Sequence, residues 1–238
     1  MPDAKAPSTP GREGDAGRAV DAVPPARRRP RTPKGRANEA HRRLALEYPE
    51  ALCELDHEDA YQLLVATILS AQTTDARVNM VTPALFDRWP DALALSQADP
   101  TELEEAVRST GFYVTKARNL ISMANRLVDV YGGAVPTELK DLVTLAGVGR
   151  KTGNVIRSVV FRLPGLPVDT HVLRLSHRLA LTEEDDPVKV EMVLNPMIPA
   201  KERGDFSLRL ILHGRRVCFA RKPACDRCVL ADFCPSVQ

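Results

Sequence analysis

The sequence predicts an all-α protein, and three observations carry that expectation. Apolar residues recur at helical spacing in segment after segment from Glu39 onward. Two segment starts, Asp99–Pro100 and Asp186–Pro187, join a capping carboxylate to a first-turn proline. No two segments alternate in the manner of paired strands, and no internal repeat is visible.

The elements follow in order. Residues 1–38 are rich in Pro, Gly, Ala and Arg without apolar periodicity, and "PPARRRPRTPKGR" (24–36) is a basic run broken by prolines. Such a stretch cannot bury enough surface to offset its ordering entropy, so it is expected to be a disordered tail able to touch phosphates without sequence preference. "YQLLVATILSA" (61–71) is apolar nearly all round and reads as a central buried helix. The helix starting at Asp99–Pro100 is expected to stop at Gly111. "KARNLISMANRLVDVYGG" lines Ala117, Leu120, Ile121, Ala124, Leu127 and Val128 along one stripe, ended by Gly132. "PTELKDLVTL" (136–145) has helical spacing through Leu139, Leu142, Val143 and Leu145, and a further helix buries Val155, Ile156, Val159 and Val160. The Asp186–Pro187 helix ends at Pro196.

Bulk properties exclude several classes. The 238 residues are 44% hydrophobic and 27% charged, with a net charge of +2, as in ordinary globular proteins. No apolar run approaches the roughly 18 residues of a membrane span, and the N-terminus has no secretory apolar core.

"AGVGRKTGN" (146–154) resembles a nucleotide loop, yet both familiar forms fail on spacing. A P-loop needs Gly where Arg150 stands, and a dinucleotide fingerprint needs Gly at Thr152 after a strand. Between two helices, Gly147 and Gly149 read either as a plain helix–helix turn or as a helix-hairpin-helix. Glycine permits the sharp reversal, and the amides freed at the next helix start point outward as an anion site for a nucleic-acid phosphate. Arg150 adds charge beside it.

Four of the five cysteines, Cys218, Cys225, Cys228 and Cys234, are separated by six, two and five residues. Their number and crowding argue against disulfides and for a thiolate site holding either zinc or an iron–sulfur cluster. A single CxxC flanked by longer gaps suits one cluster in a compact loop. Cys53 stands apart and reads as a buried hydrophobe. Arg216, Arg221, Lys222 and Arg227 make the cysteine loop basic.

Together "LAGVGRKTGNV", "VDTHV", "ILHGR", the cysteine tail, "LLVATILSAQTTD" (63–75) and "GFYVTKA" (111–117) resemble endonuclease III, the bacterial DNA glycosylase and abasic-site lyase of the helix-hairpin-helix superfamily. The resemblance runs from about residue 41 to the end. It implies a two-domain glycosylase fold: a six-helix barrel over 52–163 with the hairpin at about 138–160, and a [4Fe–4S] cluster domain built from 39–51 and 164–238. It implies Cys218, Cys225, Cys228 and Cys234 as cluster ligands, Lys151 as nucleophile and Asp169 as its partner carboxylate. A neutral lysine amine can displace a damaged base at C1′ as a Schiff base, and burial beside positive charge would favour that neutral form. Asp169 would accept a proton and stabilise developing positive charge.

Because a base must leave the duplex to be reached, Gln72 is implied as the gap filler and Phe112 as the wedge, with Gly147, Gly149, Arg150 and Thr152 also on DNA. Asp75 and His171 are implied in supporting roles, His171 as a hydrogen-bonded structural residue. The expected substrate is double-stranded DNA carrying an oxidised pyrimidine or an abasic site, handled by a monomer in the bacterial cytoplasm at the nucleoid. Rival expectations are an adenine-glycosylase-like enzyme and a non-catalytic binder of abasic DNA. The chain departs from the family at Ala146, commonly Pro, at Gly153, commonly Ala, and at Phe112, often Leu.

Overall fold

A computed structural model describes residues 29–238, and every ordered element in it is helical. α1 spans Pro33–Glu47 and α2 spans Ala60–Leu69. α3, α4 and α5 follow at Asp75–Arg88, Ala92–Ser96 and Pro100–Val107. α6 covers Tyr113–Tyr131, α7 is the single turn Leu139–Leu142, and α8 is Arg150–Val159. α9, α10 and α11 are Thr170–Arg178, Pro187–Leu194 and Arg203–Arg216. Among the described residues no helix is long and apolar enough to cross a membrane.

The expected caps form. Asp99 accepts from the amides of Thr101 and Glu102 ahead of α5, and Asp186 from those of Val188 and Lys189 ahead of α10. Gly132 ends α6 in the left-handed conformation.

Buried side chains gather in two clusters. One is drawn from Leu55 to Ile156, with α2 at its centre: α2 packs against α3, α6 and α8 and buries Tyr61 and every residue from Leu63 to Leu69. The other joins Ala37, Ala40, Leu44 and Tyr48 to residues between Leu166 and Phe233. The chain thus leaves α1 for the first cluster and returns after α8 to complete the second.

Three expectations change. First, α1 starts at Pro33, so residues 33–38 are helical rather than tail; residues 1–28 lie outside the described residues. Thr32 caps the amide of Gly35 ahead of a first-turn proline, and Ala37 and Ala40 are fully buried. Arg43 is buried too, reaching Glu39, the Val229 carbonyl and Asp232, which ties α1 to the cysteine loop. Second, the helix expected across 136–145 shrinks to one turn. Leu142, Leu145 and Val148 are buried at intervals of three, and successive tight turns (Leu145 N–H to Leu142 O, Val148 N–H to Leu145 O) satisfy that spacing while leaving Val143 exposed. Third, of the α8 stripe only Ile156 is fully buried; Val155, Val159 and Val160 are half-buried.

Gly153 has a packing reason. A Cβ there would stand 2.6 Å from Leu139 Cδ1, so α7 and α8 meet closer than an alanine at this position permits without a shift of that leucine. The helix-propensity cost of glycine, about 1 kcal/mol against alanine, is set against this contact.

Candidate active site

Seven helices, α1 to α5 with α9 and α10, are capped by a Thr or Asp side chain of the chain itself. The start of α8 differs. Its N-cap is Gly149, no side chain accepts from its first turn, and Gly147 before it takes φ 77°. Gly147 also sits tight against Asn119 and Ile68, where a Cβ would meet atoms at 3.2 and 3.3 Å. The amides of Arg150, Lys151 and Thr152 therefore face outward at the positive end of the helix dipole, unclaimed by any described residue.

The Arg150 guanidinium does not join them. It makes a two-pronged ion pair with Glu191 of α10 (2.7 and 2.9 Å), and Glu191 also accepts from Asn154 Nδ2. Glu191 is 5% exposed, so the pair latches the hairpin to the second cluster.

One turn of α8 carries Lys151 to a cavity also lined by Asp169, Asp75, Glu54, Cys53, Thr67, Ser70 and Arg215. A wider open groove adjoins it and shares Leu52, Cys53 and Leu55, but touches neither Lys151 nor Asp169. Asp169 caps α9, and a single oxygen, Oδ1, accepts both cap bonds, from His171 and Val172 (2.8 Å each). Its Oδ2 makes no hydrogen bond with any described residue. One carboxylate can therefore hold a helix end and still offer an oxygen to the cavity. Lys151 is exposed, so the burial expected of it is not supplied by the protein alone.

Around this pair, Arg215 of α11 bridges Glu54 and Asp75, joining the second cluster to the start of α3. Glu54, Arg215 and Cys53 escaped sequence reasoning. Cys53 is half-buried at the cavity wall rather than fully buried, and burial pushes its thiol upward from the ordinary value. His171 Nδ1 lies 3.1 Å from Arg174, whose guanidinium also binds the Gly214 and Cys218 carbonyls. That is the setting of a structural histidine.

Gln72 and Phe112 stand at the tips of two neighbouring loops. Both are exposed, Phe112 to 67%, and both hold left-handed backbone, at φ 56° and 50°. Non-glycine residues pay for that conformation only where surrounding structure enforces it.

Cys218, Cys225, Cys228 and Cys234 line one small cavity. Among the described residues no set of three or more His, Cys, Asp or Glu side chains closes on a single ion. Four soft thiols around one cavity are a donor set that an iron–sulfur cluster takes. Arg178 Nη1 lies 3.1 Å from Cys218 Sγ, while His213 Nε2 and the Leu230 amide approach Cys228 Sγ at 3.3 and 3.4 Å. These are hydrogen-bond donors of the kind that stabilise ligated sulfur. Burial raises the Cys228 thiol to about 12 and lowers His213 to about 4.

Comparison with known proteins gives a consistent answer. Residues 65–199 match the HhH-GPD superfamily of base excision DNA repair proteins, and residues 218–234 match the iron–sulfur binding domain of endonuclease III. The chain is 51% identical to the endonuclease III of a Synechocystis species over 206 residues, 86% of this chain and 94% of that one. It is 40% identical to that of Bacillus subtilis over 192 residues, 80% and 88%. Among solved structures, a non-covalent endonuclease III–DNA complex superposes with TM-score 0.81 at 40% identity, over 85% of this chain and 95% of that one. A trapped covalent endonuclease III–DNA intermediate does so with the same score and identity.

Proposed function

The chain belongs to the endonuclease III family of base-excision DNA repair proteins, and from that membership we propose the reaction its site performs: removal of a damaged base and scission of the resulting abasic strand, with Lys151 as nucleophile. The observation that carries the assignment of residues is the shared cavity of Lys151 and Asp169, each delivered by the first turn or cap of a different helix.

The neutral Lys151 amine attacks C1′, the glycosidic bond breaks, and its electron pair leaves with the base, which takes up a proton. The amine gives up a proton, the C1′–O4′ bond breaks, its electron pair stays on the ring oxygen, which is protonated, and C1′ and Nζ are left doubly bonded as a protonated Schiff base. Loss of a C2′ proton expels the 3′ phosphate, and water releases the lysine. The free Oδ2 of Asp169 stands ready to take the amine's proton and to offset cationic charge at C1′. Since Lys151 is exposed in the free chain, closure of DNA over the cavity provides its desolvation.

The unclaimed amides of Arg150, Lys151 and Thr152 suit one backbone phosphate, and Gln72 and Phe112 suit insertion where the flipped nucleotide stood. The substrate class is oxidised pyrimidines and abasic sites in duplex DNA, acted on by a monomer. The two buried clusters correspond in this reading to a barrel domain at 52–163 and a cluster domain completed by 164–238. The cofactor is a [4Fe–4S] cluster, held by Cys218, Cys225, Cys228 and Cys234. When bound it would tie four points of the loop together and so hold in place the basic residues Arg216, Arg221, Lys222 and Arg227.

Borohydride reduction on a thymine-glycol duplex is expected to trap a covalent protein–DNA adduct and, untrapped, to leave a strand cut on the 3′ side. A duplex that is bound but neither trapped nor cut would overturn the assignment.

Asp169→Asn separates the two duties of that carboxylate. Asparagine keeps an oxygen for the His171 and Val172 amides, so the melting temperature should stay within a few degrees, whereas base removal should slow by about 100-fold or more. Melting curves and single-turnover rates on the same samples check this. Parallel loss of both would leave the carboxylate only its cap.

A further inference from the structure

Lys116 is the buried lysine that this chemistry does not use. It lies in the first turn of α6, is 4% exposed, and its ammonium meets no carboxylate of the described residues. Its three protons go to three neutral oxygens: the Leu69 carbonyl at the end of α2 (2.7 Å), the Thr73 hydroxyl (2.9 Å) and the Thr110 carbonyl (2.8 Å). Thr73 in turn donates to the Thr110 carbonyl, closing a three-membered ring of hydrogen bonds.

The position is electrostatically unusual. A cation in the first turn of a helix opposes that helix's own dipole. Here the side chain instead reaches carbonyls where α2 and the 3-10 turn Arg108–Thr110 both end, where partial negative charge collects. Burying an ammonium carries a desolvation cost, and burial accordingly holds this one below its ordinary value. A methionine of similar length would fill the volume without that cost.

What the ring joins is informative. Thr73 directly follows Gln72, and Thr110 precedes Phe112 by two residues. Gln72 and Phe112 are both exposed and left-handed. We infer that Lys116 is a positioning residue for nucleotide flipping: its ammonium pins the Gln72 loop to the Phe112 loop, so that filler and wedge enter the duplex as one rigid unit. The inference rests on the insertion roles proposed for Gln72 and Phe112.

The discriminating readout is the ratio of cleavage rates on an abasic site in duplex and in single-stranded DNA, since only the duplex requires a gap to be filled. Lys116→Met is expected to lower that ratio at least about tenfold. It should also weaken the fluorescence rise of a 2-aminopurine placed opposite the lesion, which reports unstacking. Thr73→Val removes one acceptor while keeping the shape of the side chain, and should shift the ratio in the same direction by a smaller factor; it carries the test if Lys116→Met fails to fold. Gln72→Ala and Phe112→Ala are run alongside. If these two lower the ratio and neither Lys116→Met nor Thr73→Val does, the pin is refuted while the insertion reading stands. If Gln72→Ala and Phe112→Ala leave the ratio unchanged, the insertion reading falls first, and the pin with it.

Discussion

Lys151→Ala is expected to abolish both base removal and strand scission, a loss of about 10⁴-fold or more in single-turnover rate, because among the described residues no other amine lines the cavity with Asp169. The loss should fall on chemistry rather than on docking. The α8 amides that suit the phosphate belong to the backbone and survive the substitution, so affinity for a reduced abasic analogue should fall far less than the rate. Borohydride trapping makes the test absolute: an adduct that persists in Lys151→Ala would assign the nucleophile to another amine. The exposed N-terminal-turn position of Lys151 also means that alanine should leave the melting temperature nearly unchanged, so lost activity cannot be attributed to unfolding.

Cys228→Ser is expected to have the largest effect on stability. His213 Nε2 and the Leu230 amide approach Cys228 Sγ where the loop meets the second buried cluster, so a ligating thiolate there couples iron binding to folding. Serine offers a harder and more basic oxygen. The variant should lack the visible iron–sulfur absorbance and substoichiometric iron should be measured by elemental analysis. The consequence extends beyond the loop, which contributes Val229, Leu230 and Phe233 to the second buried cluster and Asp232 to Arg43. Loosening it should cost more than about 4 kcal/mol, the range reached when a structural metal is lost. The first cluster, drawn from a different stretch of chain, should unfold later than the second on heating. Full iron content in Cys228→Ser would overturn its place among the ligands.

Features encoded over a few neighbouring residues were legible from sequence. Asp99–Pro100, Asp186–Pro187, Gly132, the glycine turn and the cysteine spacing each act through backbone or ligand geometry at short range. The start of α1 uses the same cap-and-proline device at Thr32–Pro33, yet it was obscured. Its neighbours are Arg, Lys and Gly, and the residues it buries are alanines and an arginine rather than leucines. The helix before the hairpin was overextended because a spacing of three is shared by helices and by consecutive tight turns.

The long-range pairings were out of reach. Nothing near Arg150 announces Glu191, 41 residues on, and nothing near Arg215 announces Glu54. Lys116 illustrates the difficulty best. A lysine at a helix start reads as surface, and its burial depends on the ends of two other elements. The roles of Lys151 and Asp169 came from family resemblance; what structure adds is the division of labour between the two oxygens of Asp169.

The Arg150–Glu191 pair has a consequence for how the protein travels on DNA. Cationic side chains that settle on phosphates release condensed counter-ions, and their share of affinity collapses as salt rises. Arg150 is already paired with a buried carboxylate, so what the hairpin offers a phosphate, in the proposed reading, is uncharged amides. Its hold is short in range and nearly indifferent to ionic strength. In the proposed reading, long-range attraction falls to the basic residues of the cysteine loop, and the hairpin acts only after contact. Search and arrest are thereby assigned to different forces, and a change of salt alters the first while sparing the second.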